Sequence, residues 1–198
     1  MILLFATTNS SKLREVQPLL PGLGVDLRTL GDVGPVVEPD ETGTTFWENA
    51  RIKALAYAAM TGLTVVAEDS GLDIAALNGE PGVQSARFLG PQTSYFERFA
   101  EIFRRLESLP RDARRARFVT ALSLVAGRRV LFETESWIDG EITEAPAGEH
   151  GFGYDPIFYY PPLGKTTAEL TLEEKTAVSH RARAFRDLAR WLRHSQLP

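Results

Sequence analysis

The sequence predicts an α/β protein: a mixed sheet flanked by helices, with an elongated second lobe. Three observations carry this. Short apolar runs of strand length, "ILLFATT" (2–8) and "TVVAE" (64–68), alternate with segments whose apolar residues recur at helical spacing. In the second half, two longer β-prone runs flank a single glycine, as a hairpin does. Strands and helices mix without strict β-α-β alternation, and no repeat, low-complexity tract or linker interrupts them. A chain of 198 residues can bury a real core, so the expectation is one domain, 1–198, built of two lobes.

"ILLFATT" has the apolar density of a short buried strand. "SKLREVQPLL" (11–20) spaces Leu13, Val16, Leu19 and Leu20 as a helix does and stops at Pro21 and Gly22. "VDLRTL" (25–30) alternates like a second strand, and "GPVVEPDETGTT" (34–45) is a polar loop. "FWENARIKALAYAAM" (46–60) is a helix with Ala50, Ala54 and Ala58 four residues apart, closed by Gly62. The strand 64–68 then runs into two carboxylates, Glu68 and Asp69, and a Ser70-Gly71 turn. "NGEPG" (78–82) is a turn. "SYFERFAEIFRRLESL" (94–109) is amphipathic, with Phe96, Phe99, Phe103 and Leu106 on one face. "ARFVTALSLVAG" and "RRVLFETESWI" form the hairpin around Gly127, and "GEITEAPAG" leads into the glycine-rich "GEHGFGYDPIF". Thr171 and Glu174 make a capping box. Ser179 caps "HRARAFRDLARWLRH", which turns Ala182, Phe185, Leu188, Ala189 and Leu192 inward.

The totals exclude several classes of function. A net charge of −4 gives no reason to bind a polynucleotide, and a phosphate-bearing ligand would need local cations or a metal. Without cysteine there are no disulfides, thiolate nucleophiles or iron–sulfur clusters. "MILLFATT" lacks the length and basic flank of a signal peptide, and no apolar run approaches a membrane span, so the expected location is cytoplasmic. Lysine is rare, 4 against 18 arginines, so composition is a weak explanation for Lys12, Lys53, Lys165 and Lys175.

Four stretches carry chemistry. "ATTNSSK" (6–12) joins a strand to a helix, where free backbone amides favour an anion. Thr7, Thr8, Asn9 and Ser10 add donors there and Lys12 a charge, against the plainer reading of a helix capped by Ser10 or Ser11. The acids Glu38, Asp40, Glu41, Glu48, Glu68 and Asp69, with no Cys or nearby His, suit a hard cation such as Mg²⁺ or Mn²⁺. Asp69 stands out because it follows an apolar strand, where solvation explains it poorly. Asn49 and Lys53 share a helix face. "GFGYDPIF" (151–158) offers Phe152 from between two glycines, suited to stacking on a planar base, unless Phe152 and Tyr154 simply enter the core. His180 and Arg181 open the last helix, where their donors could meet a base or merely brace the helix.

Taken in order, "TTNSSKLREV", "ETGTTFWENARIKA", "AEDSGL", "PGVQSARFLG", "ARFVTAL", "GFGYDPIF" and "GKTTAELTLEEKTAVSHRARA" make the chain resemble the inosine/xanthosine triphosphate pyrophosphatase family, house-cleaning enzymes for non-standard purine nucleotides. The resemblance implies a long, bent mixed sheet in two lobes with a cleft between them, usually in a homodimer. It implies Mg²⁺-dependent hydrolysis of ITP, dITP and XTP to the monophosphate and pyrophosphate. By matching motifs, Thr7, Asn9 and Lys12 would hold the phosphate tail with Thr8, Ser10 and Ser11 of the same loop, and Lys53 nearby. Asp69 would be the essential acid, Ser70 a substrate contact, and Phe152, Gly153, Tyr154, Asp155, Lys175, His180 and Arg181 the enclosure of base and sugar. Glu41 is the expected second metal contact, with Glu38, Glu48 and Glu68 as rivals. Thr8 stands where relatives commonly have glycine, and Glu68 where many have Asp. A Maf-like pyrophosphatase would open with Ser-x-Ser-x-Arg-Arg, which "TTNSSK" does not match. A non-catalytic nucleotide-binding protein would have lost the acid that Asp69 supplies.

Overall fold

The computed structural model describes residues 1–195; the last three residues of the expected 1–198 domain lie outside the described residues. Among the described residues there are seven strands: β1 Ile2–Phe5, β2 Asp26–Thr29, β3 Thr64–Ile74, β4 Arg115–Ala126, β5 Arg129–Ile142, β6 Phe158–Tyr160 and β7 Lys165–Thr166. They form one sheet in the order β2-β1-β3-β4-β5-β6-β7. β1 is parallel to β2 and β3, while β6 is antiparallel to β5 and β7, so the sheet is mixed. The helices are α1 Ser10–Val16, α2 Phe46–Thr61, α3 Tyr95–Leu106, α4 Leu172–Val178 and α5 His180–His194. No helix among the described residues is long and apolar enough to cross a membrane.

The chain divides into two compact units, one of Met1–Asp69, Thr120–Ser136 and the segment from His180 onward, the other of Ser70–Val119 and Trp137–Ser179. In the first unit, strand alternation sorts side chains between two helical layers. Leu3, Phe5 and Val66 pack with Val16 of α1 and with Phe185, Leu188 and Ala189 of α5. Leu4, Val65 and Ala67 pack on the other face with Ala54, Tyr57 and Ala58 of α2. Phe5 and Phe185 meet edge-on at 5.1 Å. Truncating either to Ala costs about 3–5 kcal/mol by cavity formation. α2 starts where Thr45 and Glu48 cap each other and ends at Gly62, whose φ of +68° suits a residue without Cβ.

In the second unit, Leu72, Ile74, Phe99, Ile102, Leu106, Phe118, Ile138, Tyr154 and Phe158 form the core. The capping box of Thr171 and Glu174 is present and opens α4. The hairpin turns at Gly127 and Arg128, with Gly127 at φ +58°.

Several expectations are corrected. The strand begun at Thr64 does not end at Glu68 in a Ser-Gly turn; it runs on through Ser70 and Gly71 to Ile74. The apolar alternation resumes at Leu72 and Ile74, both fully buried, and Leu72 N–H donates to Ser85 Oγ at 2.9 Å. Phe96 does not join the buried face of α3: it is 77% exposed, and Phe99, Ile102 and Leu106 make the contact. Leu192 is only partly buried in α5. β6 and β7 are too short for periodicity to mark them.

Candidate active site

Strand parity sends the two consecutive acids of β3 to opposite faces of the first unit. Asp69 has the parity of Val65 and Ala67 and meets α2. Its Oδ2 accepts from Asn49 Nδ2 at 3.2 Å and its Oδ1 from Lys53 Nζ at 3.1 Å. Lys53 Nζ also lies 2.5 Å from Glu41 Oε1. Asn49 and Lys53 are one helical turn apart, so α2 presents both to the same carboxylate. Asn49 is further fixed by the Gly43 N–H, which donates to its Oδ1 at 2.8 Å. Burial pushes the Asp69 pKa up, Lys53 pulls it down and Glu41 pushes it up again; the balance leaves it above the ordinary carboxylate value. Burial lowers the Lys53 pKa, but attraction to Asp69 and Glu41 outweighs this and holds the ammonium charged.

Among the described residues, no group of three or more His, Cys, Asp and Glu side chains is arranged to hold a metal by itself. Two carboxylates converging on one ammonium nevertheless leave an excess of negative charge. Mg²⁺ is commonly bound through one or two carboxylates, with substrate phosphates and water filling the other positions. Asp69 and Glu41 fit that donor set. The rivals Glu48 and Glu38 are placed differently. Glu48 Oε2 is engaged by the amides of Thr44 and Thr45 in the cap of α2, and Glu38 is exposed in the loop.

Glu68 has the parity of Val66 and meets α1 and α5. Its Oε1 lies 2.9 Å from Lys12 Nζ, and Arg181 Nε lies 2.9 Å from both of its oxygens. Arg181 Nη1 donates to Glu15 Oε2 at 2.6 Å. Burial pushes Glu68 up, but Arg181 and Lys12 bring its pKa down to about 2. Arg181 is held above its ordinary value by Glu68 and Glu15 despite burial. Arg181 thus bonds two carboxylates, so a bracing contact of the kind the sequence set beside a base contact is present. Glu15 has little signal in the sequence beyond being a charged residue beside the buried Val16.

The 7–12 loop also differs from expectation. Asn9, not Ser10 or Ser11, caps α1: its Oδ1 accepts from Ser11 N at 2.9 Å and Lys12 N at 3.3 Å. Thr7 is buried, and its Oγ1 accepts the Asn9 amide. Three amides that sequence reasoning offered to an anion are therefore satisfied within the loop. The half-buried Lys12 ammonium and the exposed Thr8 and Ser10 remain toward solvent.

In the second unit, "GFGYDPIF" and α4 build a cradle around Asp155, itself buried. Asp155 Oδ2 accepts from Phe152 N at 2.7 Å and Lys175 Nζ at 2.6 Å; Oδ1 accepts from Thr167 Oγ1 at 2.8 Å. Lys175 Nζ also lies 5.0 Å from the centroid of the partly exposed Phe152 ring, a cation–π distance. Tyr154 does not line the site with its side chain. It is buried edge-on to Tyr95 and donates its hydroxyl to Ser85 O at 2.9 Å, so the core reading holds for Tyr154 but not for Phe152. Ser70 opens the second unit's part of β3 and is half-buried; His180 is buried at the start of α5.

The sequence profile of the Ham1 family matches residues 3–191. A dITP/XTP pyrophosphatase of Thermus thermophilus is 47% identical over 188 residues, covering 95% of this chain and 90% of that protein. Its counterpart in Syntrophobacter fumaroxidans is 45% identical over 189 residues, covering 96% and 81%. Among solved structures, a HAM1 protein from Coxiella burnetii superposes with a TM-score of 0.88 at 40% identity, covering 98% of this chain and all of that one. A nucleoside-triphosphatase / dITP/XTP pyrophosphatase from Mycobacterium abscessus gives 0.77 at 44% identity, covering 95% and 98%. A profile that spans nearly the whole chain, relatives close to half identical and a shared sheet together establish that this chain belongs to the Ham1 family.

Proposed function

We propose that this protein hydrolyses the non-standard purine nucleoside triphosphates ITP, dITP and XTP to the monophosphate and pyrophosphate, with Mg²⁺. The observation that carries the reading is the buried Asp69 carboxylate, clasped by Asn49 and Lys53 beside Glu41, in a chain whose relatives are named dITP/XTP pyrophosphatases.

Mg²⁺, when bound, neutralises charge on the phosphate oxygens, and Asp69 and Glu41 are the side chains that would hold it. A water hydrogen-bonded to Asp69 attacks the α-phosphorus, its proton passes to an Asp69 oxygen, and the bond from the α-phosphorus to the bridging oxygen breaks so that pyrophosphate leaves. Asn49 and Lys53 each occupy one side of the carboxylate and so set its orientation. Lys53 and Lys12 supply positive charge to the triphosphate, where positioning and charge neutralisation carry most of the rate.

For the base, Phe152 supplies a stacking face, and Asp155 with Lys175 a paired acceptor and donor. The donors at the start of α5 that suit a base edge are the side chains of His180 and Arg181 and the backbone amides. Donors aimed at the six-position favour the oxygen of hypoxanthine and xanthine over the amino group of adenine. The test is pyrophosphate release from ITP, dITP, XTP, ATP and GTP, with Mg²⁺, with Mn²⁺ and with a chelator. Rapid release from the first three in metal, and little from ATP, is the expected result. Equal rates on ATP, or full activity in chelator, would defeat the reading.

A further inference from the structure

Glu68 is adjacent to the proposed catalytic acid yet turns away from it. The same alternation that brings Asp69 to α2 brings Glu68 to α1 and α5, so the two carboxylates cannot share one cation on the same face. Its oxygens are already engaged, Oε1 by Lys12 and both by Arg181 Nε. Glu15, Arg181, Glu68 and Lys12 form a chain of alternating charge that sums to zero. Exposure rises abruptly along it: the side chains of Glu15, Arg181 and Glu68 are 4%, 2% and 1% exposed, and that of Lys12 is 21%. Three elements, α1, β3 and α5, contribute to the buried part.

We propose that Glu68 is a positioning residue for Lys12: a carboxylate immobilised by Arg181 and Glu15 that holds the Lys12 ammonium where the triphosphate takes it. This rests on the phosphate-site reading above. A lysine side chain has many rotamers, and a phosphate must freeze them on binding unless something has done so beforehand. A mobile carboxylate could not do this, because it would move with the lysine. Glu68 can, because both of its oxygens are fixed from behind by a guanidinium that is itself fixed. Neutralisation of Lys12 by Glu68 is only partial, since the ammonium keeps further donors for a ligand.

The test is a double-substitution cycle on kcat/KM for ITP, using wild type, Glu68→Gln, Lys12→Ala and the pair, with Mg²⁺ titrated for each. Glu68→Gln should lower kcat/KM about tenfold, chiefly through KM, as expected for a displaced charge-assisted phosphate contact. The Mg²⁺ requirement should not move. In the Lys12→Ala background the same substitution should change kcat/KM less than about twofold, because the residue it acts through is gone. If the tenfold loss persists without Lys12, or if Glu68→Gln leaves KM unchanged or lowers it, the positioning role is wrong. A shift in the Mg²⁺ requirement would assign Glu68 to the metal instead. Glu68→Gln strands part of the Arg181 charge and could fail to fold. Glu68→Asp keeps the charge and withdraws it by one methylene, and its smaller rise in KM should vanish in the same background. A wild-type protein that releases no pyrophosphate from ITP would overturn the functional reading and this inference together; an active wild type with multiplicative losses overturns the inference alone.

Discussion

Gly151→Ala is the sharpest single test of the Asp155 cradle. Gly151 has φ +76°, and a Cβ there would overlap Asp155 Oδ2 and stand 2.8 Å from its Cγ. Two costs follow. Holding an L-residue in the left-handed region costs about 1–2 kcal/mol. The overlap is worse, because Oδ2 is pinned between the Phe152 amide and Lys175 Nζ and has nowhere to retreat without breaking one of them. Losing one such charge-assisted bond costs roughly 1.5–3 kcal/mol. At about 2–4 °C per kcal/mol for a chain of this size, the melting temperature should fall by roughly 5–20 °C.

The functional consequence is separable from the structural one. If Asp155 yields by swinging away, Lys175 loses the partner that holds it over Phe152, and KM for ITP should rise by about tenfold or more with a smaller change in kcat. Gly153→Ala is the internal comparison. Its φ of +64° carries similar strain, but the nearest atom to its Cβ is Tyr95 Oη at an ordinary 3.6 Å. The difference between the two variants therefore isolates the Asp155 overlap. Thermal melts by circular dichroism and initial rates of pyrophosphate release provide both readouts. Equal effects of the two substitutions, or a Gly151→Ala variant with wild-type KM, would refute the reasoning.

Asp69→Asn should lower kcat on the order of 10²-fold or more while melting at or above the wild-type temperature near neutral pH, because a carboxylate with a raised pKa is costly to keep ionised in the folded state; retained activity would remove Asp69 from the chemistry. Phe152→Ala should raise KM for ITP and ATP by similar factors, since stacking is indifferent to the six-position, whereas His180→Ala should narrow the ITP/ATP ratio of kcat/KM; a lowered melting temperature with an untouched ratio would make His180 a brace only. Glu68 is depressed from 4.5 to about 2 on folding, so it contributes stability that is fully present above about pH 4.5 and lost as pH falls toward 2, roughly 3 kcal/mol in all. Denaturant unfolding across that range should show the loss in wild type, and a variant Glu68→Gln with an equally steep profile would contradict it.

What could be read from the sequence was local. Thr171 and Glu174 announce α4, Gly62 closes α2 and Gly127 turns the hairpin, because each decision is made by residues a few positions apart. Asp69 could be singled out for a similar reason, a charge following an apolar run. The partners that give these residues meaning are distant. Arg181 reaches Glu68 across 113 positions, and Thr167 reaches Asp155 across 12 positions that no periodicity links. Tyr154 and Phe152 look alike in the sequence, two aromatics beside glycine, and only the Ser85 carbonyl 69 positions away decides that Tyr154 goes inward.

The two acids of β3 show why the strand outruns its apolar signal. Read alone, a carboxylate pair after Val65-Val66-Ala67 signals the end of burial, because each charge would cost several kcal/mol to desolvate. That inference holds only while the charges lack partners. Here both acids are met by cations from opposite helical layers, fully buried Arg181 for Glu68 and largely buried Lys53 for Asp69, so the cost is offset, wholly at Glu68 and in part at Asp69, and the strand continues for five more residues, to Ile74. Parity then does the rest. Had the chain carried one residue more or fewer before Glu68, the acid that α2 clasps and the acid that Arg181 clasps would exchange faces. Asn49 and Lys53 would then hold a side chain one methylene longer, and Lys12 would be reached by one too short. The length difference between Glu and Asp at these positions matches the distances each must cover: Glu68 spans to two cations on separate helices, while Asp69 stays short and close to α2, where a water and a phosphate could still approach it.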